Sequence, residues 1–104
     1  MRVVFQPRAR EDVLRQVDYL LEAFAYDAAE RFPAAVEEAC ARLVEYPASG
    51  SPHESLAAQL AGLRAWPVPG FEDIRLYYLV RGDVLRVVRV LHGRRDLGSL
   101  LDEE

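Results

Sequence analysis

Two runs rich in β-branched, aliphatic and aromatic residues, IRLYYLV (74–80) and VLRVVRVLH (84–92), are separated only by Arg81, Gly82 and Asp83. Such runs favour a pleated, half-buried surface. A two-residue Gly82-Asp83 loop predicts that they close as an antiparallel hairpin, because such loops match the twist of paired strands and need a residue that accepts positive φ. That loop sets Arg81 opposite Val84, and period-two alternation then assigns every later pair. One face carries Ile74, Leu76, Tyr78 and Val80 with Leu85, Val87 and Leu91, and Arg89, its only charge, is expected either to pair with an acid of the helix hairpin or, displaced by a bulge, to serve a site. The other carries Arg75, Tyr77, Leu79 and Arg81 with Arg86, Val88, Val90 and His92. The first face needs a cover. The second mixes cations with aliphatic surface where a merely solvated face would be mostly polar, so it is the expected working surface. A one-residue slip would exchange the two faces.

The cover comes from the first half of the chain. RVVFQ (2–6) reads as a strand closed by Pro7, which suits the first position of a helix. Val13, Val17, Leu20, Leu21 and Phe24 form the stripe of an amphipathic helix over about residues 8–25. A second stripe, Phe32, Val36, Cys40 and Leu43, follows Asp27, which with Glu30 makes a capping box, and ends before Tyr46-Pro47. Pro33 should kink this helix or start it. The short turn around Tyr26 makes the two helices an antiparallel hairpin. After the loop PASGSPHES (47–55), LAAQLAGL suits a helical turn or two, and LRAWPV (63–68) supplies another strand, with Pro67 marking an edge or a bulge. The expected architecture is α+β: an N-terminal strand, a helix hairpin, then a three-strand antiparallel meander with the helices on one face, in a single domain over residues 1–104.

The chain's 104 residues carry a formal charge of -4, unevenly distributed. Residues 1–60 hold six Arg against ten acids, whereas residues 61–95 hold seven Arg against three; Lys is absent. A basic, aromatic-bearing half suits an acidic partner, phosphate or a carboxylate-rich peptide. Duplex DNA readout is disfavoured because both helices expose acidic faces. No apolar run approaches a membrane span and no signal peptide is visible, so the expected location is the cytoplasm. Cys40 stands alone, which excludes an internal disulfide, and should pack as a small hydrophobe.

Metal-free RNA cleavage needs a base, an acid and cations for the charge building at phosphorus. Arg75, Arg81 and Arg86 suit the last role, His92 one of the first two and Tyr77 only weakly, and a second well-placed acid or base is not evident. His92 at a strand end is otherwise a structural hydrogen-bonding group. Phosphate-loop, HExxH, CxxC and nucleophile-elbow patterns are missing, and His53 and His92 have no third ligand at metal spacing. No metal or cofactor is implied.

At the meander, LRAWPV, IRLYYLV and GDVLRVVRVLHGRRDL resemble the C-terminal half of the ParE toxins of the RelE/ParE superfamily, the toxic partners in type II toxin-antitoxin modules. The second-helix sequence AAERFPAAVEEACARLVEYP agrees, although Pro33 departs from the usual pattern and residues 48–62 are longer and more alanine-rich. The resemblance implies a toxin neutralised, in a hetero-oligomer, by an antitoxin whose acidic and apolar C-terminal segment folds onto the toxin. Arg75, Tyr77, Arg81, Arg86, Val88 and Val90 are the expected antitoxin contacts. The implied target is DNA gyrase, bound without catalysis, with Arg94, Arg95 and Leu97 as expected target contacts. The alternative is the RelE-type ribosome-dependent mRNA endonuclease, using His92 with Arg75 and Arg86. Gly93 stands where that branch carries a tyrosine, which favours a binding toxin over an enzyme. A third reading is a non-toxic antitoxin-binding module.

Overall fold

The computed structural model describes residues 1–54 and 58–95. Strand β1 (Arg2–Phe5) leads through Pro7 into helix α1 (Pro7–Glu22) and then α2 (Tyr26–Glu45). Strands β2 (Ser51–Pro52), β3 (Arg64–Val68), β4 (Phe71–Arg81) and β5 (Val84–His92) follow. The five strands form one mixed sheet in the order β1-β5-β4-β3-β2. The expected meander is β3-β4-β5; β1 adds to the β5 edge in parallel, and the two-residue β2 extends the other edge.

The hairpin loop forms as expected. Gly82 supplies a φ of +58°, and Arg81 pairs with Val84. Pairing continues through Tyr78 with Val87, but Tyr77 then pairs with Arg89, leaving Val88 as a bulge on β5. The extra residue inverts the strand beyond it. Val90, expected on the outer face, belongs instead to the helix-side core, while Leu91, expected against the helices, packs outside with Tyr77, Leu79 and Val88. Pro67 satisfies both expectations, because β2 covers only Arg64 and Ala65 of β3 and the β3-β4 register shifts after Pro67.

The helix-side core joins Ala9, Phe32, Val36, Ala39, Cys40 and Leu43 to Val68, Leu76, Tyr78, Leu85, Val87 and Val90. Phe32 meets Phe71 edge-on at 5.1 Å. Helix α2 starts at Tyr26 and runs through Pro33 rather than starting there, and the expected capping box is not formed: Ala25 is the cap residue, without a side-chain bond. Pro33 forfeits one backbone bond, yet Ala29, Phe32, Ala35 and Val36 around it are buried, and this packing holds the turn in place. Buried Tyr78 fastens the loop after α2: its hydroxyl donates to the Pro47 carbonyl (2.6 Å) and accepts from the Gly50 N–H (2.9 Å). Burial raises its pKa, partly offset by the Gly50 bond and the Arg64 charge, so the hydroxyl remains a donor at neutral pH.

Arg89 meets an acid of the helix hairpin, one of its two expected roles, although the bulge at Val88 pairs it with outer-face Tyr77. Strand β1 stops alongside Val87, and α1 then brings Asp12 to the edge of β5 that β1 leaves unpaired. The Asp12 carboxylate accepts from Arg89 Nε at 2.7 Å, Arg89 Nη2 at 2.9 Å and the Val90 N–H at 3.0 Å. Both side chains are buried.

Candidate functional site on the outer face of the sheet

The outer face is not bare. Tyr77, Leu79, Val88 and Leu91 pack with Leu60, Leu63 and Ala65 into a second cluster, so the expected exposed aliphatic strip is covered by the chain leading into β3. Tyr77 and Val88, expected as partner contacts, are 1% and 0% exposed and support the surface from beneath. The arginines form its rim. Arg75 and Arg81 are exposed and Arg86 is half-buried. Arg81 donates from Nη2 to the Ala61 carbonyl at 2.7 Å, pinning the covering segment to the end of β4.

At the opposite end of β4 the rim deepens into a cleft of about 230 Å³, lined by His53, Glu72, Asp73, Arg75, Tyr77, His92, Gly93 and Arg94. The close approach of Gly93 to Arg75 shapes it. The Gly93 N–H donates to the Asp73 carbonyl at 2.8 Å, and a Cβ on Gly93 would lie 2.8 Å from Arg75 Nε and 3.0 Å from its Cδ. Glycine therefore lets the arginine lie flat over the turn.

The cleft unites both histidines of the chain, a pairing the sequence conceals because 38 residues lie between positions 53 and 92. The His53 ring meets Tyr77 edge-on at 5.2 Å, and its backbone N–H is held by the Leu63 carbonyl at 2.8 Å. His92 Nδ1 accepts the backbone N–H groups of Arg95 (3.0 Å) and Arg94 (3.3 Å). An acceptor nitrogen carries no proton, so the neutral ring keeps its hydrogen on Nε2. Burial raises the Tyr77 pKa, the Arg75 charge opposing it, so its hydroxyl stays protonated and cannot serve as a base at neutral pH. The cleft thus sets the donors of Arg75 and Arg94 beside the exposed carboxylates of Glu72 and Asp73, with Tyr77 protonated and His92 Nδ1 already engaged.

Arg94 and Arg95 are exposed beside this cleft, whereas Leu97 lies outside the described residues. Arg95 also lines a second cleft of about 300 Å³ with Gln16, Tyr19, Ile74 and His92, so the end of β5 adjoins the last turns of α1. Among the described residues no group of three or more His, Cys, Asp or Glu is placed to hold a metal ion, and no helix is long and apolar enough to cross a membrane.

Residues 3–97 match the model of the ParE toxin of the type II toxin-antitoxin system, parDE. The chain belongs to the ParE toxin family. The fold agrees with a solved chromosomal ParDE toxin-antitoxin system from P. aeruginosa, at a TM-score of 0.71 and 15% identity over 88% of this chain and 95% of that one. No curated protein sequence matches the chain. As a ParE-family toxin domain, the chain keeps two helices on one face of its sheet and its arginine rim on the other.

Proposed function

We propose that this ParE-family toxin acts in the cytoplasm by binding DNA gyrase without catalysing a covalent step, and that a cognate antitoxin neutralises it. The observation that carries the reading is the outer face: cations ring a buried apolar support, while Tyr77 is held protonated and His92 Nδ1 is engaged by backbone donors. The rim of Arg75, Arg81 and Arg86 suits carboxylates, and neither Tyr77 nor His92 Nδ1 supplies a base. An antitoxin segment rich in acidic and apolar residues fits it, contacting Arg75, Arg81 and Arg86 and ordering as it binds. Tyr77 and Val88 contribute by holding the arginine-bearing strands, and Val90, on the helix side, makes no contact. Arg94 and Arg95 are the described residues assigned to the target.

The test combines two measurements. Purified toxin should inhibit gyrase supercoiling and leave ribosome-bound mRNA intact. Replacing Arg75, Arg81 and Arg86 together with Ala should weaken antitoxin binding and flatten its salt dependence; an unchanged affinity and salt slope would move the antitoxin site to the helix hairpin.

A ribosome-dependent mRNA endonuclease is the second reading, favoured by the convergence of His53 and His92 around Arg75 in one cleft. It requires cuts mapped on translated mRNA that disappear in both His53→Ala and His92→Ala. Growth unaffected by toxin expressed without antitoxin would instead support a non-toxic binding module.

A further inference from the structure

Helix α1 ends with two backbone bonds that fold the chain back: the Ala25 N–H donates to the Leu20 carbonyl at 2.8 Å and the Phe24 N–H to that of Leu21 at 3.0 Å. This closure places its penultimate residue in the left-handed region, a position that glycine fills without strain. Here it is Phe24, with φ of +61°, the one non-glycine among the described residues with positive φ. The strained residue does not stabilise the core. Its side chain is 77% exposed, more than any other large apolar side chain described, and it meets the 61% exposed Tyr26 edge-on at 6.2 Å.

The sequence around this aromatic pair is acidic, and Arg31, the next cation along the chain, lies over the Phe71 ring at 5.5 Å. Residues 18–30 contain Asp18, Glu22, Asp27 and Glu30 and no cation, and all four acids are exposed. One turn before the tip, Tyr19 is 57% exposed and shares a cleft with Arg95. The tip therefore lies about one turn of α1 beyond the cleft that Arg95 lines.

We infer that Phe24 and Tyr26, at the tip of the helix hairpin, form a docking point for a basic, apolar-socketed surface on the toxin's target. The inference rests on the reading that the toxin acts by binding gyrase, and it adds a contact region to that reading. Charge complementarity selects the occupant. An acidic antitoxin tail is repelled by four carboxylates, whereas a protein that binds nucleic acid presents a basic face to which carboxylates and flat rings are suited. A rigid exposed aromatic also loses little conformational freedom on binding, which is why such residues dominate protein interfaces. Strain retained at an exposed side chain that lies outside both apolar cores supports a contact role.

The Phe24→Gly toxin separates this role from a structural one, because glycine relieves the backbone strain while removing the ring. The expected result is a urea midpoint equal to or above that of the unmodified toxin, unchanged affinity for the cognate antitoxin, and a rise of roughly tenfold or more in the concentration needed to inhibit gyrase supercoiling. Asp27→Asn combined with Glu30→Gln should weaken inhibition severalfold and flatten its salt dependence. If the unmodified toxin inhibits gyrase and Phe24→Gly inhibits it within twofold, the inference is wrong while the gyrase reading stands. A parallel loss of antitoxin binding in Phe24→Gly would also overturn it, by showing that the tip serves the antitoxin or the fold. Failure of the unmodified toxin to inhibit gyrase overturns the gyrase reading and this inference together.

Discussion

Replacing Asp12 with Ala should be among the most destabilising single changes available to this protein. The substitution strands the Arg89 guanidinium, 4% exposed, without the carboxylate that takes its Nε and Nη2 donors at 2.7 and 2.9 Å. Removing one partner of a buried ion pair costs about 3–5 kcal/mol, because the remaining charge stays desolvated. The Val90 N–H loses its acceptor as well, an unsatisfied donor worth about 1–3 kcal/mol. The two losses share one carboxylate and overlap, so the expected total is about 4 kcal/mol, a large fraction of the roughly 5–15 kcal/mol that holds a domain of this size. With a urea m-value of about 2 kcal/mol/M, the unfolding midpoint should fall by about 2 M. The decisive comparison is Asp12→Leu with Arg89→Met, which removes both charges and should recover at least half of the loss, since apolar replacement of a buried pair is often neutral or favourable. A cost below about 1 kcal/mol for Asp12→Ala, or a double variant as unstable as the single, would refute the assignment of this pair as a coupled buried unit.

Cys40 predicts how stability depends on alkaline pH. Burial, reinforced by Glu37, pushes its thiol from 9.0 to about 11. The folded state therefore holds the proton more tightly than the unfolded one. This contribution is fully present below pH 9 and is lost as pH rises from 9 toward 11, by up to roughly 3 kcal/mol. Urea midpoints measured from pH 8 to 10.5 should decline less steeply in Cys40→Ala, and iodoacetamide at pH 8 should modify the thiol rapidly only after unfolding; identical slopes would contradict the sign. Gly93→Ala is expected to leave stability within about 1 kcal/mol, because the flexible Arg75 side chain can yield to the new Cβ. On the proposed antitoxin site it should lower antitoxin affinity as much as Arg75→Ala does, and unaltered binding would show that the pose of Arg75 over the turn is irrelevant.

The β4-β5 hairpin was readable because Gly82-Asp83 fixes one pair and alternation carries that pair outward. Reading outward fails at Val88. The run VVRV presents apolar side chains in either register, so nothing local marks the inserted residue, and Val90 and Leu91 exchange faces beyond it. The parallel partner of β1 is likewise hidden, because its pairing with β5 depends on the layering of the whole sheet. Arg89 was legible for the opposite reason: one charge on an apolar face demands a counter-ion, and the neighbouring helix hairpin has acids to provide it. His53 is illegible as part of a site because it stands in a loop, and nothing local in the sequence marks its approach to Tyr77. The arginine rim followed directly from composition and strand parity.

The seam between the two ends of the chain also governs when the toxin can exist. Arg2 pairs with Val84, and Asp12 reaches Arg89 across a separation of 77 residues. Contacts this distant must close a long loop before they return any stabilisation, which slows folding. During synthesis the first strand and first helix emerge early and then wait for β5, the last strand of the sheet. A ribosome carrying most of the chain thus carries an incomplete sheet, without the Arg86 and Arg94 side of the basic surface. The proposed partner-binding face is completed only once β5 has been made.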